Sequence, residues 1–498
     1  MRRKSALSPL ILLGLIVLRR QAYAGCEEIR AALARETADV ICFESPDLTT
    51  SNPATTPANN SIAGLPAGAF TPQTDRNVIS PDPPKRTPIT KVVPGIQVQG
   101  RFADDPTGEA RFLLRLPNDW NGKLVVAGAS GTRSEFNGDF AWSDYVLQKG
   151  FAYASQNKGV WNLRIVSLSS ATPPTTDPAP CRLNPASGIW VHFFDDDPEK
   201  PFTQWTQTIV SGAQLAAEAV KAHYGRHPRR TYAVGTSNGG YQVRRAIEQA
   251  PNLFDGGVDW EGTFIDPRGP NILIDLPPAI ANFPAYVASG FDPTSQAAKN
   301  IEAAGYPPDL FSGGVSLWGL YWAQFWEVTQ CQWQKRFDPS YTTYVDGPNN
   351  VDGTGGYDYS ARVALDASIL EQVAAVATTG KIKKPLITVA GTMDALLPIQ
   401  RGARAYEAAV NASRRGNNEH RRAPYRLYEV QNGNHIETFK NTFPQLEFIQ
   451  PHAQRAFDLL VDHVENNATL PPSQCIPKGG AIAPDPTEPG HCTDLLVP

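Results

Sequence analysis

Apolar segments of two kinds alternate along the chain between residues 96 and 464. Continuous apolar runs at 123–127 and 385–390 are typical of strands that are buried on both faces of a sheet. The segment 203–224 instead repeats apolar residues at near-helical spacing and stops before Gly225, as a helix does. This alternation predicts an α/β fold in which helices cover both faces of a mostly parallel sheet.

Two segments interrupt this pattern. Residues 162–201 look like an insertion, and its acidic run at 195–197 fits a solvated loop better than a calcium site. Residues 266–380 combine scattered prolines with a concentration of aromatic residues, and we predict that they form a lid inserted between two core strands. Six of these aromatics have helical spacing, which favours packing within the lid over contact with a substrate. They are Trp318, Tyr321, Trp322, Phe325, Trp326 and Trp333.

The predicted domain boundaries follow from these interruptions. The core comprises residues 96–265 and 381–466, and the lid comprises 266–380. Residues 25–95 precede the core as an extended segment that is rich in Thr, Pro, Asn and Ser. Residues 467–498 follow the core as a Pro-rich tail.

The first 24 residues differ from the rest of the chain. Basic residues, a short apolar run and small residues before a cleavage point predict that 1–24 is a secretory signal peptide. The apolar run is too short to cross a bilayer comfortably, so we expect no stable membrane span in the mature protein. Lipidation at Cys26 is a weaker alternative. We therefore expect a secreted or periplasmic protein.

Six cysteines, an even number, predict three disulfides in an exported chain. The entropy of loop closure favours the local pairs Cys26–Cys42 and Cys475–Cys492, which would leave Cys181 to pair with Cys331. No two cysteines have the spacing of zinc ligands. Removal of residues 1–24 changes the formal net charge from −4 to −9, and nothing in this charge suggests a nucleic-acid partner.

The segment 230–248 contains the pattern Gly-Thr-Ser-Asn-Gly between a predicted strand and a predicted helix. A nucleophilic serine needs this kind of sharp strand-to-helix turn, with glycine two positions away on either side to avoid crowding. The five-residue pattern alone is weak, but the strand and the helix around it make it specific. Ser237 is therefore the predicted nucleophile.

Two further residues follow predicted strands later in the chain. Asp394 lies just after the buried run 385–390, and His435 lies on the loop after the strand 425–430. The chain order Ser, Asp, His is that of the α/β-hydrolase triad, in which histidine takes the proton of the serine and the carboxylate orients the histidine. Asp259 and Glu261 compete with Asp394, because both end the strand beside the nucleophile.

The loop after the strand 123–127 is the candidate for half of an oxyanion hole. Its small residues include Gly128, Ala129 and Ser130, and backbone N–H groups in this place can stabilise an oxyanion together with the N–H of Asn238. An ordinary glycine turn is the alternative. The predicted reaction is acyl transfer to Ser237 followed by hydrolysis, and it requires no metal or organic cofactor.

The chain resembles a known group of proteins at several motifs. The runs 120–126 and 149–155, Ser237-Asn-Gly-Gly and Gly-Asn-His435 are similar to those of secreted bacterial α/β-hydrolases of the 3-hydroxybutyrate oligomer hydrolase and tannase/feruloyl esterase type. The resemblance implies the same triad and an ester substrate, either a small molecule or an oligomer. Tannase-type enzymes place a cysteine beside the serine and another beside the histidine, whereas this chain has none there. That difference favours hydroxyalkanoate oligomers over aromatic esters.

Three other functions remain open from the sequence. A tannase/feruloyl-type aromatic ester hydrolase would use the same triad. An exported serine peptidase would also use it, since the triad cleaves amides as well as esters. A binding protein on an inactive hydrolase scaffold is the non-enzymatic alternative, which the presence of all three triad residues disfavours.

Overall fold

The computed structural model describes residues 24–58, 68–76, 87–105, 107–131, 133–177, 180–194, 204–341, 355–414, 423–487 and 490–498. The predicted signal peptide, apart from Ala24, and the acidic run at 195–197 lie outside these ranges.

Fifteen strands are found in the described part of the chain. They are β1 Thr37–Ser45, β2 Gly95–Phe102, β3 Arg111–Pro117, β4 Lys123–Gly128, β5 Ala152–Gln156, β6 Leu163–Ser167, β7 Pro180–Arg182, β8 Trp190–Phe193, β9 Arg230–Thr236, β10 Gly256–Trp260, β11 Phe311–Ser312, β12 Val315–Ser316, β13 Leu386–Gly391, β14 Tyr425–Val430 and β15 Gln474–Ile476.

The same ranges contain thirteen α-helices, and the first of them begins at Cys26. They are α1 Cys26–Leu33, α2 Pro72–Asp75, α3 Asp144–Leu147, α4 Gln204–Tyr224, α5 Asn238–Gln249, α6 Ile272–Ala288, α7 Gln296–Ala303, α8 Leu317–Tyr321, α9 Glu327–Phe337, α10 Tyr359–Leu365, α11 Ser368–Ala375, α12 Ala403–Ser413 and α13 Gln450–Asn466. None of these helices has both the length and the apolar character that crossing a bilayer requires.

Ten strands form one large sheet in the order β1-β2-β3-β5-β4-β9-β10-β13-β14-β15. The pairs from β5 to β15 are parallel, and the pairs from β1 to β5 are antiparallel. The carboxyl ends of the parallel strands therefore meet along one edge, where ligands bind in open α/β sheets.

Both faces of the sheet are covered, as the continuous apolar runs predict. In β4, Leu124 and Val126 belong to one hydrophobic cluster, while Val125 and Ala127 belong to another on the opposite face. Successive side chains of a strand point to opposite faces, so a run without polar residues implies burial on both sides. Helix α4 contributes to the first cluster and α13 to the second.

The predicted lid packs in a hydrophobic cluster, here called the lid core, that also includes Tyr241, Met393 and Phe439 from outside the lid. The segment 317–337 is one continuous helix in which a wider π-helical turn, Trp322–Trp326, joins α8 to α9. Trp318 and Trp326 are fully buried in the lid core, as their helical spacing predicts. Phe325 and Trp333 pack in this core and also line a cavity. For these two residues, packing within the lid and lining of a cavity are therefore not alternatives.

The insertion at 162–201 contributes a second structure beside the lid. Its strands β6, β8 and β7 form a small antiparallel sheet. The Cys181–Cys331 disulfide joins β7 to α9. Two inserted segments, about 150 residues apart in sequence, are thus covalently tied together.

Both ends of the chain extend the main sheet. The predicted extended segment contains α1 and β1, and β1 pairs antiparallel with β2 at one edge. The predicted tail contains β15, which pairs parallel with β14 at the opposite edge. The disulfides Cys26–Cys42 and Cys475–Cys492 are present as predicted and hold these two additions locally.

Candidate active site

Ser237 occupies the sharp turn between β9 and α5, as predicted. Its φ of +56° lies in the left-handed region that a serine rarely adopts. A Cβ at Gly235 would lie 2.3 Å from the Gly239 carbonyl oxygen, and a Cβ at Gly239 would lie 2.4 Å from the Gly128 carbonyl oxygen. Glycine is therefore required on both sides of Ser237, because the backbone of β4 and the start of α5 approach too closely for a side chain.

The structure brings Asp394 and His435 together at the carboxyl ends of β13 and β14. His435 Nδ1 lies 2.8 Å from Asp394 Oδ2, and both side chains are buried. Asp394 Oδ1 accepts hydrogen bonds from the N–H groups of Leu396 and Leu397 at 2.8 and 2.7 Å. Because the carboxylate is fixed in this way, it holds the ring proton on Nδ1 and leaves Nε2 as the proton acceptor.

The two competing carboxylates have different surroundings. Asp259 is buried in an ion pair with Arg244 at 2.5 Å and also accepts from Thr388 Oγ1 at 2.9 Å, so it serves the core. Glu261 is closer to the site, because its Oε2 lies 3.5 Å from His435 Nδ1 and its Oε1 accepts the Gly391 N–H at 3.0 Å. Asp394 is the carboxylate at hydrogen-bonding distance from His435, and Glu261 is a second acidic neighbour.

The electrostatics of these buried groups are coupled. Burial alone would lower the pKa of His435, but the charge of Asp394 and its hydrogen bond, together with the charge of Glu261, raise that pKa to about 9. Burial and the adjacent Asp394 charge raise the pKa of Glu261 well above its usual range. The imidazolium form of His435 is therefore stabilised by the carboxylates beside it.

One ligand atom from each of Glu261, Asp394 and His435 lies within 4.8 Å of the others, a grouping that could hold a metal ion. The hydrogen bond between His435 Nδ1 and Asp394 Oδ2, however, places these two atoms in direct contact. A cation bound by both atoms would have to break this bond. The arrangement therefore fits a proton-transfer pair better than a metal site.

Ser237 and His435 line the same cavity, which has a volume of about 400 Å³. One wall is the small sheet, and the opposite wall is the lid helix, so the Cys181–Cys331 disulfide ties the two walls together. The wall side chains are mainly apolar and include Leu163, Ile165, Leu183, Val191, Phe193, Phe325, Val328 and Trp333. The cavity is therefore suited to a substrate with apolar groups around the reacting bond.

No hydrogen bond joins the Ser237 hydroxyl to the His435 ring among the described residues, although both face this cavity. Catalytic hydrogen bonds are often long or poorly aligned without substrate and tighten when substrate binds. Asp394 and His435 are thus hydrogen-bonded to each other, whereas Ser237 and His435 line the same cavity.

Only some residues of the predicted oxyanion loop line the cavity. Gly128 ends β4 and packs against Gly239, and neither Gly128 nor Ala129 lines the cavity. Ser130 lines it, but its N–H donates to Asn137 Oδ1 at 2.8 Å and is already engaged. Gly131, with φ +48°, also lines the cavity. The N–H groups of Gly131 and Asn238 have no acceptor among the described residues, so Gly131 is a further candidate donor beside the predicted positions.

A buried lysine that no sequence motif singled out contacts the carbonyl groups of this loop. Lys158 Nζ donates to the Ala129 carbonyl oxygen at 3.0 Å and approaches that of Ser130 at 3.5 Å. Since the N–H of a trans peptide points opposite to its carbonyl, the bond to Ala129 turns the Ser130 N–H away from Lys158, and the longer contact with the Ser130 carbonyl does the same for the Gly131 N–H. Tyr321 likewise holds the histidine loop, because its hydroxyl donates to Asn434 Oδ1 at 2.9 Å.

The C-terminal third of the chain is similar to known proteins. Residues 351–490 match the family model described as 3HB-oligomer hydrolase. This segment contains Asp394 and His435 but not Ser237. The D-(-)-3-hydroxybutyrate oligomer hydrolases of Burkholderia thailandensis and Burkholderia mallei are 37% and 38% identical to this chain over 105 and 104 residues. Each match covers 20% of this chain and 14% of the relative, so the chain matches only a small part of these relatives.

Solved structures give a similarity that extends over most of the chain. An esterase from Aspergillus oryzae matches with a TM-score of 0.51 and 14% identity, covering 89% of this chain and 90% of that protein. Feruloyl esterase B from Aspergillus oryzae matches with a TM-score of 0.50 and 13% identity, covering 89% and 91%. At such low identity these matches show the fold alone. The chain therefore has the α/β-hydrolase fold and, within residues 351–490, resembles the 3HB-oligomer hydrolases.

Proposed function

We propose that this protein is a serine ester hydrolase that cleaves hydroxyalkanoate esters, such as 3-hydroxybutyrate oligomers, through an acyl-enzyme. The observation that carries the proposal is the shared cavity. Its lining includes Ser237 on a strained turn and His435, whose other ring nitrogen is hydrogen-bonded to Asp394. Serine is a weak nucleophile until a base takes its proton, and this arrangement supplies the base and its orienting acid.

In the proposed reaction His435 Nε2 accepts the Ser237 proton while Oγ attacks the ester carbonyl carbon. The bond between the acyl carbon and the alcohol oxygen breaks, and the proton passes from His435 to the departing alcohol. Water then gives a proton to His435 and its hydroxide to the acyl carbon. The bond between the acyl carbon and Ser237 Oγ breaks, Oγ takes the proton back from His435, and the acid is released. The N–H groups of Asn238 and Gly131 would bind the oxyanion, and each such donor contributes roughly 3 kcal/mol.

The choice of hydroxyalkanoate esters rests on three points of support. The cavity walls are mainly apolar and carry no charged side chain apart from Arg133 and His435 among the described lining residues. The match to the 3HB-oligomer hydrolase family model covers the segment that contains Asp394 and His435. Thr236, Asn238, Asn434 and Ile436 stand where tannase-type enzymes have their paired cysteines, which disfavours the aromatic-ester alternative.

We also propose that the protein acts in a secreted or periplasmic location. Its three disulfides are typical of an oxidising compartment. The predicted signal peptide at 1–24 is consistent with export.

A hydrolysis screen of the purified protein tests this function. We expect release of 3-hydroxybutyrate from its dimer and trimer, slower turnover of methyl ferulate, and no cleavage of a peptide nitroanilide. Ser237→Ala should abolish turnover while the circular dichroism spectrum stays unchanged. Preference for feruloyl or galloyl esters would support the aromatic-ester alternative, and cleavage of the anilide would support a peptidase. A folded protein inactive on every ester would contradict the proposal.

A further inference from the structure

We propose that Arg133 forms a carboxylate-binding subsite in the cavity, so that the enzyme favours esters whose alcohol part carries a free carboxylate. This inference rests on the proposed ester hydrolase function and specifies the substrate further. An oligomer of a hydroxy acid has such a carboxylate at one end only, whereas simple alkyl and feruloyl methyl esters lack it.

The position of Arg133 places its guanidinium beside the reacting groups. Arg133 lines the same cavity as Ser237 and His435. Its side chain folds back over the proposed oxyanion loop, since a Cβ at Gly131 would lie 3.6 Å from Arg133 Nε. A group bound to Arg133 would therefore lie next to the part of the cavity in which the ester carbonyl must sit.

The guanidinium has no carboxylate at hydrogen-bonding distance among the described residues. Arg133 Nε and Nη1 are enclosed by the protein and have no hydrogen-bond partner in that part of the chain, while 13% of the side-chain surface stays exposed. The nearest carboxylate oxygen, Asp75 Oδ1, lies 3.8 Å from Nη1, which is beyond hydrogen-bonding distance. The other oxygen of Asp75 accepts from the Ser134 N–H at 2.9 Å and from Asn162 Nδ2 at 3.0 Å. Asp75 is thus held in place by these two residues and orients Arg133 without occupying its donors.

The aromatic ring of Phe70 lies beside the guanidinium of Arg133. The guanidinium carbon of Arg133 lies 5.0 Å from the centre of the Phe70 ring, a cation–π distance. The guanidinium therefore has an aromatic support, a carboxylate behind it and a part of its side chain that lines the cavity. Such an arginine can receive a carboxylate, because adjacent N–H groups on one edge of a guanidinium match the two oxygens of a carboxylate.

The charge of the cavity favours an anion. No Asp or Glu is found among the described lining residues, and Arg133 is permanently charged. The nearest carboxylate oxygen lies 3.8 Å from this guanidinium, and an incoming carboxylate at the exposed part of the side chain would form a closer ion pair. A neutral substrate forms no such pair, so the cavity favours the charged substrate.

The chemistry of 3-hydroxy acid esters fits a subsite close to the reacting bond. Two carbon atoms separate the ester oxygen from the carboxylate carbon in the terminal unit. When Arg133 holds this carboxylate, the ester bond next to it reaches Ser237, and hydrolysis releases one hydroxy acid. The carbonyl carbon of the remaining acyl group becomes bonded to Ser237 Oγ, and the leaving alkoxide takes its proton from His435. The subsite therefore predicts removal of monomers from the carboxylate end.

A matched pair of substrates tests the subsite. The 3-hydroxybutyrate dimer and its methyl ester differ only in the terminal charge. We expect the wild-type protein to favour the free acid, and we expect Arg133→Gln to lower the ratio of kcat/KM for acid over methyl ester by about 10- to 100-fold. Arg133→Lys keeps the charge without the planar fork and should give an intermediate ratio. Arg35→Gln removes an exposed charge outside the cavity and serves as the control.

The outcomes separate this inference from the function on which it rests. If neither dimer substrate is hydrolysed by the wild-type protein, the ester hydrolase function itself fails. If both are hydrolysed and Arg133→Gln leaves their ratio unchanged, or lowers both rates equally, the carboxylate subsite is refuted. Circular dichroism and labelling of Ser237 by a fluorophosphonate verify that each variant is folded. If Arg133→Gln does not fold, the same ratio is measured in Arg133→Lys, where an intermediate value supports the subsite and an unchanged value refutes it.

Discussion

Replacement of Asp394 by asparagine removes the charge beside His435 while it keeps the shape of the side chain. The amide oxygen can still accept the N–H groups of Leu396 and Leu397, so the loop after β13 has no reason to move. The amide nitrogen, however, would then face His435 Nδ1 and donate to it, which leaves the proton on Nε2. In that tautomer Nε2 cannot accept the proton of Ser237.

The structure gives the size of the expected effect. Burial lowers the pKa of His435, but the pKa is raised overall from 6.5 to about 9. The negative charge of Asp394 makes the largest contribution to this rise. That rise corresponds to roughly 3 kcal/mol of stabilisation of the imidazolium. We therefore expect Asp394→Asn to lower kcat by at least about 300-fold. Glu261 remains 3.5 Å from Nδ1 and supplies part of the charge, so Asp394→Asn with Glu261→Gln should lower kcat further.

The assay is kcat/KM for p-nitrophenyl butyrate as a function of pH. His435 must be neutral to act as a base, so the wild-type activity rises with pH with its midpoint near pH 9. In Asp394→Asn the raising charge is gone while burial still favours neutral imidazole, and the midpoint moves to lower pH. Glu261→Gln should move the midpoint in the same direction by a smaller amount. A midpoint that stays in place or rises in Asp394→Asn would refute this electrostatic reasoning.

Three further predictions concern the support of the site. Gly239→Ala should destabilise the fold and abolish activity, because its Cβ would meet the Gly128 carbonyl oxygen at 2.4 Å; thermal unfolding and an ester assay measure both effects. Lys158→Met should lower kcat by roughly 10- to 100-fold with little change in KM, since the oxyanion loop loses its charged donor; an equal change in both parameters would contradict this role. Cys181→Ala with Cys331→Ala should raise KM more than it lowers kcat, because the tie between the cavity walls is lost; an unchanged KM would argue against it.

Local sequence patterns were sufficient to predict the inner strands of the sheet and the turn that carries Ser237, but not the edge strands β1 and β15. Strands such as β4 and β13 are continuous apolar runs, and a strand covered on both faces needs no other signal. The position of Asp394 and His435 after strands was equally readable, because parallel strands bring their carboxyl ends to one edge.

Contacts between distant segments could not be read in this way. Lys158 acts through the carbonyl oxygen of Ala129, and Arg133 depends on Asp75, whose position follows from packing and not from local periodicity. The small sheet forms a cavity wall only because a disulfide and apolar contacts join it to α9. Local periodicity likewise does not indicate that Asn137 engages the Ser130 N–H.

The central claim is that Ser237 is a nucleophile activated by His435 and Asp394, and covalent labelling tests it most directly. The purified protein is treated with a fluorophosphonate probe, and the modified peptide is identified by mass spectrometry. The account predicts one adduct, on Ser237, that disappears in Ser237→Ala and forms more slowly in Asp394→Asn. A folded wild-type protein that stays unlabelled, or an adduct on another serine of the cavity, would contradict it.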